Sequence, residues 1–309
     1  MTARTTAGTT AAAHRRVRVR VPASTANLGS GFDALGLALG RHDTVDVEVT
    51  DGGLTVEVTG EGADEVPTDE RHLVVRALRA AAERIGLDLP GIALTCDNTI
   101  PQARGLGSSA AAVVAGVVAA YAVAGRGAHT PADAAEMVQL AAEFEGHADN
   151  VAACLLGGLA VAWQEGDRFR ALTLPAHPAL RPVVLIPLDR SETHVTRGLL
   201  PDRVPHIDAA FAAGRCALAV QAITARPDLL LPATEDRLHQ DYRAKAWPAT
   251  IELVSALRSS GVAATVSGAG PTVFVATVDG VLPESVDLTG FAAHELPVDA
   301  AGAQVRTTD

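Results

Sequence analysis

The 309-residue chain has a single lysine, Lys245, and only three cysteines, Cys96, Cys154 and Cys216. Any site that requires an ammonium side chain therefore has one candidate. The cysteines are too few and too scattered for a disulfide scaffold, and they do not stand at zinc-ligand spacing. A reducing, cytoplasmic compartment is expected. Positive charge is also short. With 25 Lys and Arg against 36 Asp and Glu, the net charge is −11, which excludes a generally basic nucleic-acid surface. The first 13 residues lack an apolar stretch of signal-peptide type and read as a disordered tail. The longest uncharged run, 105–125, is rich in Ala and Val, is interrupted by Ser108, Ser109 and Gly116, and follows a glycine loop. A buried helix is expected there rather than a membrane span. Neither nucleic acid nor membrane is an expected partner, and no internal repeat is visible.

What is present suits a folded chain of two domains: 48% hydrophobic and 20% charged residues over a length of about two domains. Alternating Val and Arg over 17–21 predicts a half-exposed strand. Segments 44–50 and 54–59 alternate around Asp51-Gly52-Gly53, a hairpin signal. The stripe Leu73, Ala77, Leu78, Ala81 and Ile85, closed by Gly86, predicts a helix. Thr130, Pro131 and Asp133 open another, which ends at Gly146. Further strands are expected over 91–96, 159–163, 181–188, 262–266 and 272–278, and helices over 207–225 and 248–259, while 286–305 is weakly patterned. Helices interleaved with short strands predict an α+β fold. The expected organisation is a tail over 1–14, an N-terminal domain over 15–165 and a C-terminal domain over 166–309.

Four segments carry polar chemistry. In 101–111, Pro101-Gln102-Ala103-Arg104-Gly105-Leu106-Gly107-Ser108-Ser109-Ala110-Ala111, two glycines precede two serines that open the long Ala/Val helix. The first amides of such a helix lack intrahelical partners and suit a phosphate. A serine that merely caps a core helix satisfies the same pattern. No lysine follows the glycines, so this is not a P-loop, and no third glycine stands at the dinucleotide offset. The loop Ser267-Gly268-Ala269-Gly270-Pro271 is equally a candidate anion cradle or a hairpin turn. Asn27 and Asp33 flank a glycine turn, where spacing alone favours their satisfying the backbone over their meeting a ligand. Finally, Glu143, Glu145, His147, Asp149 and Asn150 crowd the end of a helix. Carboxylates there oppose the helix dipole, which a fraying surface end tolerates and a magnesium site would explain.

Taken in this order, the segments resemble the GHMP kinase superfamily over about residues 17–278. Residues 101–111 are similar to its phosphate loop and 266–275 to its C-terminal glycine motif. Within the superfamily, 21–33 and 146–152 resemble the homoserine kinase family, as do Thr193 with Arg197 and Tyr242-Arg243 before Trp247-Pro248. The resemblance implies an N-terminal domain like domain 2 of ribosomal protein S5 and a ferredoxin-like C-terminal domain. It implies ATP and Mg²⁺ as cofactors, L-homoserine as acceptor and a homodimer. Residue by residue, it implies Asn27 and Asp33 at the amino group and hydroxyl of the acceptor. His147, Asp149, Asn150 and Gly270 fall in the acceptor pocket, with Arg197 and Arg243 at its carboxylate. Thr193 falls near the transferring phosphoryl group, and Asp33, Thr193 and Arg197 are the implied catalytic residues. Residues 101–111 form the implied triphosphate cradle, with Ser108 and Glu143 at the metal.

Overall fold

The computed structural model describes residues 12–128, 130–189 and 197–307, with no account of the Arg197 side chain. The first sheet begins with β1 (Arg16–Asn27), β2 (Gly31–Thr50) and β3 (Gly53–Gly60), followed by α1 (Leu73–Ile85) and β4 (Gly91–Asn98). In β1, Val17, Val19 and Val21 are buried, while Arg16, Arg18 and Arg20 alternate with them on the solvent side. Arg16 and Arg18 pair there with Glu48 and Asp46 of the neighbouring strand. Three helices come next, α2 (Ser108–Val123), α3 (Pro131–Glu145) and α4 (Asp149–Leu156), before the hairpin β5 (Leu159–Glu165) and β6 (Arg168–Leu174).

The expected hairpin at 51–53 does not pair with itself. β4 lies between β2 and β3, antiparallel to the first and parallel to the second. The turn is local, but the long-range partner takes the ladder. The sheet runs β11-β1-β2-β4-β3, with β5 on β2 and β6 on β5, where β11 is Gln304–Thr307. The 165–166 boundary thus falls in the turn of the β5–β6 hairpin, and the sheet continues to Leu174. Of the expected tail, residues 1–11 lie outside the described residues, whereas the amides of Ala13 and His14 donate to Val123 O at 2.8 and 3.2 Å.

The run read as a buried helix is one. α2 is apolar all round and buried over most of its length, as such a helix must be. A Cβ at Gly116 would lie 2.4 Å from Val74 O, so glycine lets α1 and α2 cross closely. Among the described residues, the helix long and apolar enough to cross a membrane is instead α5 (His206–Thr224), which buries Ala212, Ala219, Ala222 and Ile223.

The second sheet has the order β10-β7-β9-β8, from β7 (Val183–Pro187), β8 (Ala263–Val266), β9 (Val273–Ala276) and β10 (Phe291–Glu295). All its pairs are antiparallel, so β7 and β8 run parallel with β9 inserted between them. That is the split βαβ arrangement of a ferredoxin-like domain. α5, α6 (Leu230–Ala233) and α7 (Pro248–Ser259) make the first crossover, and an irregular segment over 277–290 makes the second. β10 and β11 arise in the stretch that carried no clear pattern. A separate core of Leu185, Leu253, Leu257, Val266 and Val273 fills this domain.

Candidate active site

Two loops and the end of β1 interlock where the two sheets meet. Ser24 N donates to Leu106 O at 3.1 Å, Gly268 N to Ala26 O at 3.1 Å, and Thr272 N to Arg104 O at 3.3 Å. Ser267 Oγ bridges Thr25 Oγ1 at 2.8 Å and Gly105 O at 2.5 Å. The glycines of the phosphate loop serve this closure. Gly105 has φ +76°, and a Cβ there would lie 2.3 Å from Ser267 O. At Gly107, with φ +71°, a Cβ would lie 2.1 Å from Ser24 Oγ. Backbone conformation and space both require glycine.

Beyond Gly107, α2 starts with no side-chain cap. Its first amides are therefore available, and Ser108 and Ser109 stand beside a cavity of about 370 Å³. The opposite wall includes Val66, Pro67, His72 and Leu73, with Gln102 and Ala103 at the loop side. An apolar wall facing a helix N-terminus suits a base joined to phosphates. His72 is buried there, its Nδ1 has no hydrogen-bond partner, and burial lowers its pKa from the usual imidazole range. Asp43 braces the approach to the loop, accepting from Thr99 N at 2.6 Å and Ile100 N at 2.8 Å. Burial pushes its carboxyl up to about 6.

Within residues 101–111, the side chains divide. Pro101, Leu106, Ala110 and Ala111 are buried as packing. Arg104 does not face the cavity: its NH1 donates to Pro187 O at 3.1 Å and Asp189 O at 2.5 Å, tying the loop to the end of β7. Its side chain is an anchor between the loop and the end of β7. Glu143 is engaged by other side chains. It pairs with Arg84 of α1 at 2.9 Å and accepts from Gln139 at 2.9 Å. Glu145 is the carboxylate at the site, accepting from Ser109 Oγ at 2.5 Å. Two positions along a helix differ by roughly 200° in direction, which separates the two acids. A carboxylate and a hydroxyl oxygen beside a phosphate cradle are hard donors that fit magnesium. Glu145 with Ser109 is such a pair, and Ser108 lines the same cavity.

A second polar cluster is built from the turn after β1 and the start of α4. Asn27, Leu28 and Asp33 all have positive φ, at 71°, 47° and 53°. Such a conformation in non-glycine residues persists only where neighbours enforce it. Asn27 supplies that restraint, donating to Gly268 O at 3.0 Å and accepting from Asp33 N at 3.0 Å. The backbone role favoured by the spacing is therefore real, and the Asn27 amide retains a second N–H. Asp33, His147 and Asp149 bring ligand-capable atoms within 4.8 Å of one another. His147 Nδ1 lies 2.7 Å from Asp149 Oδ1, which also caps Asn150 N at 2.7 Å. Asp33 and His147 line a small cavity with Trp163 and Phe169. Asn150 joins the two halves of the site, accepting from Ser24 Oγ at 2.9 Å.

Gly270 is not at this pocket's surface. Its amide donates to Ser267 O, and a Cβ would strike the Trp247 ring at 2.9 Å, so glycine is required there by packing. Arg243 is buried against His239 and Phe32. Thr193 and the Arg197 side chain lie outside the described residues. Sequence reasoning missed Ser24, Asp43 and His239. Of these only His239 had a local signal, one helical turn before Arg243.

Two family models match the chain, GHMP kinases N terminal domain over 72–158 and GHMP kinases C terminal over 219–285. A homoserine kinase of Streptomyces avermitilis is 52% identical over 291 residues, covering 94% of this chain and 95% of its own. That of Mycobacterium tuberculosis is 50% identical over 289 residues, covering 91% and 92%. The crystal structure of homoserine kinase from Cytophaga hutchinsonii shares the fold with a TM-score of 0.80 at 24% identity, covering 95% of this chain and 98% of that one. With half of its residues shared along nearly the full length of such relatives, and both GHMP domains matched in order, this chain belongs to the homoserine kinase family of the GHMP kinases.

Proposed function

We propose that this enzyme transfers the γ-phosphoryl group of ATP to the side-chain hydroxyl of L-homoserine, giving O-phospho-L-homoserine and ADP, a step of threonine biosynthesis. The observation that carries the reading is that similarity to homoserine kinases, at 50–52% identity, covers 91–94% of this chain and so runs through both domains. A kinase for another small alcohol, such as a mevalonate-type enzyme, needs the loop but not groups for both an ammonium and a carboxylate.

Phosphoryl transfer depends on in-line placement and charge neutralisation more than on covalent help. The uncapped first turn of α2 offers amide dipoles to the phosphates without reorganisation. Glu145 and Ser109, paired at 2.5 Å, would hold magnesium, which when bound would neutralise charge on the phosphate oxygens. Asp33, whose backbone amide is held by Asn27, orients the acceptor hydroxyl; its oxygen forms the new O–P bond as the γ-phosphorus bond to ADP breaks, and its proton passes to an oxygen of the transferred phosphoryl group. Asn27, His147 and Asp149 complete the polar wall around the amino end. Arg243 and Arg197 meet the α-carboxylate, for which a guanidinium fork is the matched partner. Thr193 stands by the transferring group. The enzyme acts as a cytoplasmic homodimer.

ADP release measured with L-homoserine, mevalonate, L-threonine and no acceptor tests the reading. Turnover with L-homoserine well above the others is expected. Equal or faster turnover with mevalonate overturns it.

A further inference from the structure

His239 is completely buried between the two parts of the acceptor site. Its Nε2 lies 2.8 Å from Gly29 O, in the turn that carries Asn27 and Asp33. Its Nδ1 faces Arg243 NH1. A guanidinium only donates, so Nδ1 must accept and carries no proton. The proton then sits on Nε2 and is donated to the Gly29 carbonyl. One neutral tautomer satisfies both contacts, and no other does. The ring also stacks on Phe32, with centroids 5.4 Å apart at 33°, and the Arg243 guanidinium lies 5.8 Å from that same Phe32 ring.

The surroundings hold this imidazole rigidly. Asp236 accepts the amides of Leu238, His239 and Gln240 at 2.8–2.9 Å, which fixes the backbone from which the ring projects. The turn is pressed onto the same region. A Cβ at Gly29 would lie 2.2 Å from Thr234 O, and Ser30 Oγ donates to Ala233 O at 3.3 Å. Burial lowers the pKa of His239, and the Arg243 charge acts in the same direction against the pull of Asp236. The neutral form demanded by the hydrogen bonds is thus also the form the environment favours.

We propose that His239 is a positioning residue that sets the span between the amino-end turn and the carboxylate arginine, and so selects the chain length of the amino-alcohol acceptor. It touches no substrate. It fixes how far Arg243 stands from Asp33 by bonding one to the turn that carries the other. A shorter or longer hydroxy amino acid then meets one end of the site and misses the other. The proposal rests on the reading of Arg243 as the carboxylate partner.

Steady-state kinetics on three acceptors tests it, using L-homoserine, its one-carbon-longer homologue 5-hydroxy-L-norvaline, and 3-aminopropanol, which lacks the carboxylate. His239→Gln and His239→Asn each keep one of the two hydrogen bonds, and His239→Leu keeps neither. For His239→Leu, the homoserine KM is expected to rise at least tenfold with kcat and the ATP KM within about threefold. Preference for homoserine over the longer homologue should narrow, and 3-aminopropanol kinetics should hardly change. Should the leucine variant fail to fold, the same pattern in attenuated form is required of Gln and Asn. A homoserine KM within twofold of wild type in the folded variants overturns the proposal, as does an equal loss on all three acceptors. Arg243→Lys is run beside them. A raised homoserine KM there with none in the His239 variants sinks the positioning role alone, whereas no change with Arg243→Lys sinks the carboxylate reading beneath it.

Discussion

The loops 101–107 and 267–271 each carry two glycines one residue apart, Gly105 with Gly107 and Gly268 with Gly270. Their positions in the fold make them different devices. The first leads into the uncapped start of a 16-residue helix beside a cavity. The second connects two antiparallel strands and closes over the first through Ser267. Even within the phosphate loop, glycine makes room for protein before ligand, since Gly105 and Gly107 face Ser267 and Ser24. Glycine content marks where backbones approach closely. Which partner approaches is decided by the elements on either side.

The largest effect is expected for Gly105→Ala. The φ of +76° and the 2.3 Å approach to Ser267 O make the change costly on both counts. A loss of about 3 kcal/mol or more is expected in urea unfolding, together with weakened ATP binding. Stability within 0.5 kcal/mol or so of wild type would show that the two loops can part freely.

Next in size is the division between two acids of α3. Glu145→Gln is expected to lower kcat by about 100-fold and to raise the magnesium requirement. Glu143→Gln breaks an exposed pair with Arg84, and a change of about 0–1 kcal/mol in stability with unchanged kcat is expected. A magnesium titration of the two variants that gave the reverse order would return the metal site to Glu143.

A smaller effect is expected at Asp43, just ahead of the phosphate loop. Its pKa is raised in the fold to about 6 from 3.8. The native state therefore binds the proton more tightly than the unfolded chain. Its contribution is fully present below about pH 4 and is lost as pH rises through about 6. Asp43→Asn keeps an oxygen for both amides without the buried charge. The difference in unfolding free energy, variant minus wild type, should grow by about 1–3 kcal/mol between pH 4 and pH 8. A flat difference curve would mean that the wild-type carboxylate is well solvated.

The smallest effect is expected for Gly268→Ala, which sharpens the contrast with Gly105. Its φ is +55°, but the nearest atom to an added Cβ is 3.6 Å away. About 1 kcal/mol from backbone conformation alone is expected in the same urea experiment. A loss as large as that at Gly105 would mean that the second loop is just as tightly enclosed.

Much of the first domain was legible because its signals are local. Thr130 does accept from Asp133 N at 3.1 Å to start α3, and Gly146 does end it at φ +78°. The glycine-serine run opens α2 where expected. What escaped depends on contacts between distant segments. The Asp51-Gly52-Gly53 turn was visible, but not that β4 would enter between its arms. Glu143 and Glu145 are equivalent acids in a linear reading, and only the rotation of α3 against α2 distinguishes them. Arg104 sits within the phosphate loop by position, yet its side chain reaches β7, a contact spanning more than eighty residues. His239 acquires a role only once the chain has brought Gly29 to it.

The pairing of β11 with β1, Val17 opposite Thr307 and Arg20 opposite Gln304, has a consequence for biosynthesis. A ribosome delivers β1 first, and one edge of that strand stays open through the synthesis of the whole second domain. Open edges template association with other chains, and the nascent protein carries this one throughout translation. The alternating arginines of β1, two of them already bound to carboxylates on β2, place charge along that waiting strand. A chain halted after Ala303 should keep the edge permanently exposed and sediment as higher assemblies, whereas a strictly non-associating truncated species would show that the edge is guarded without its last partner.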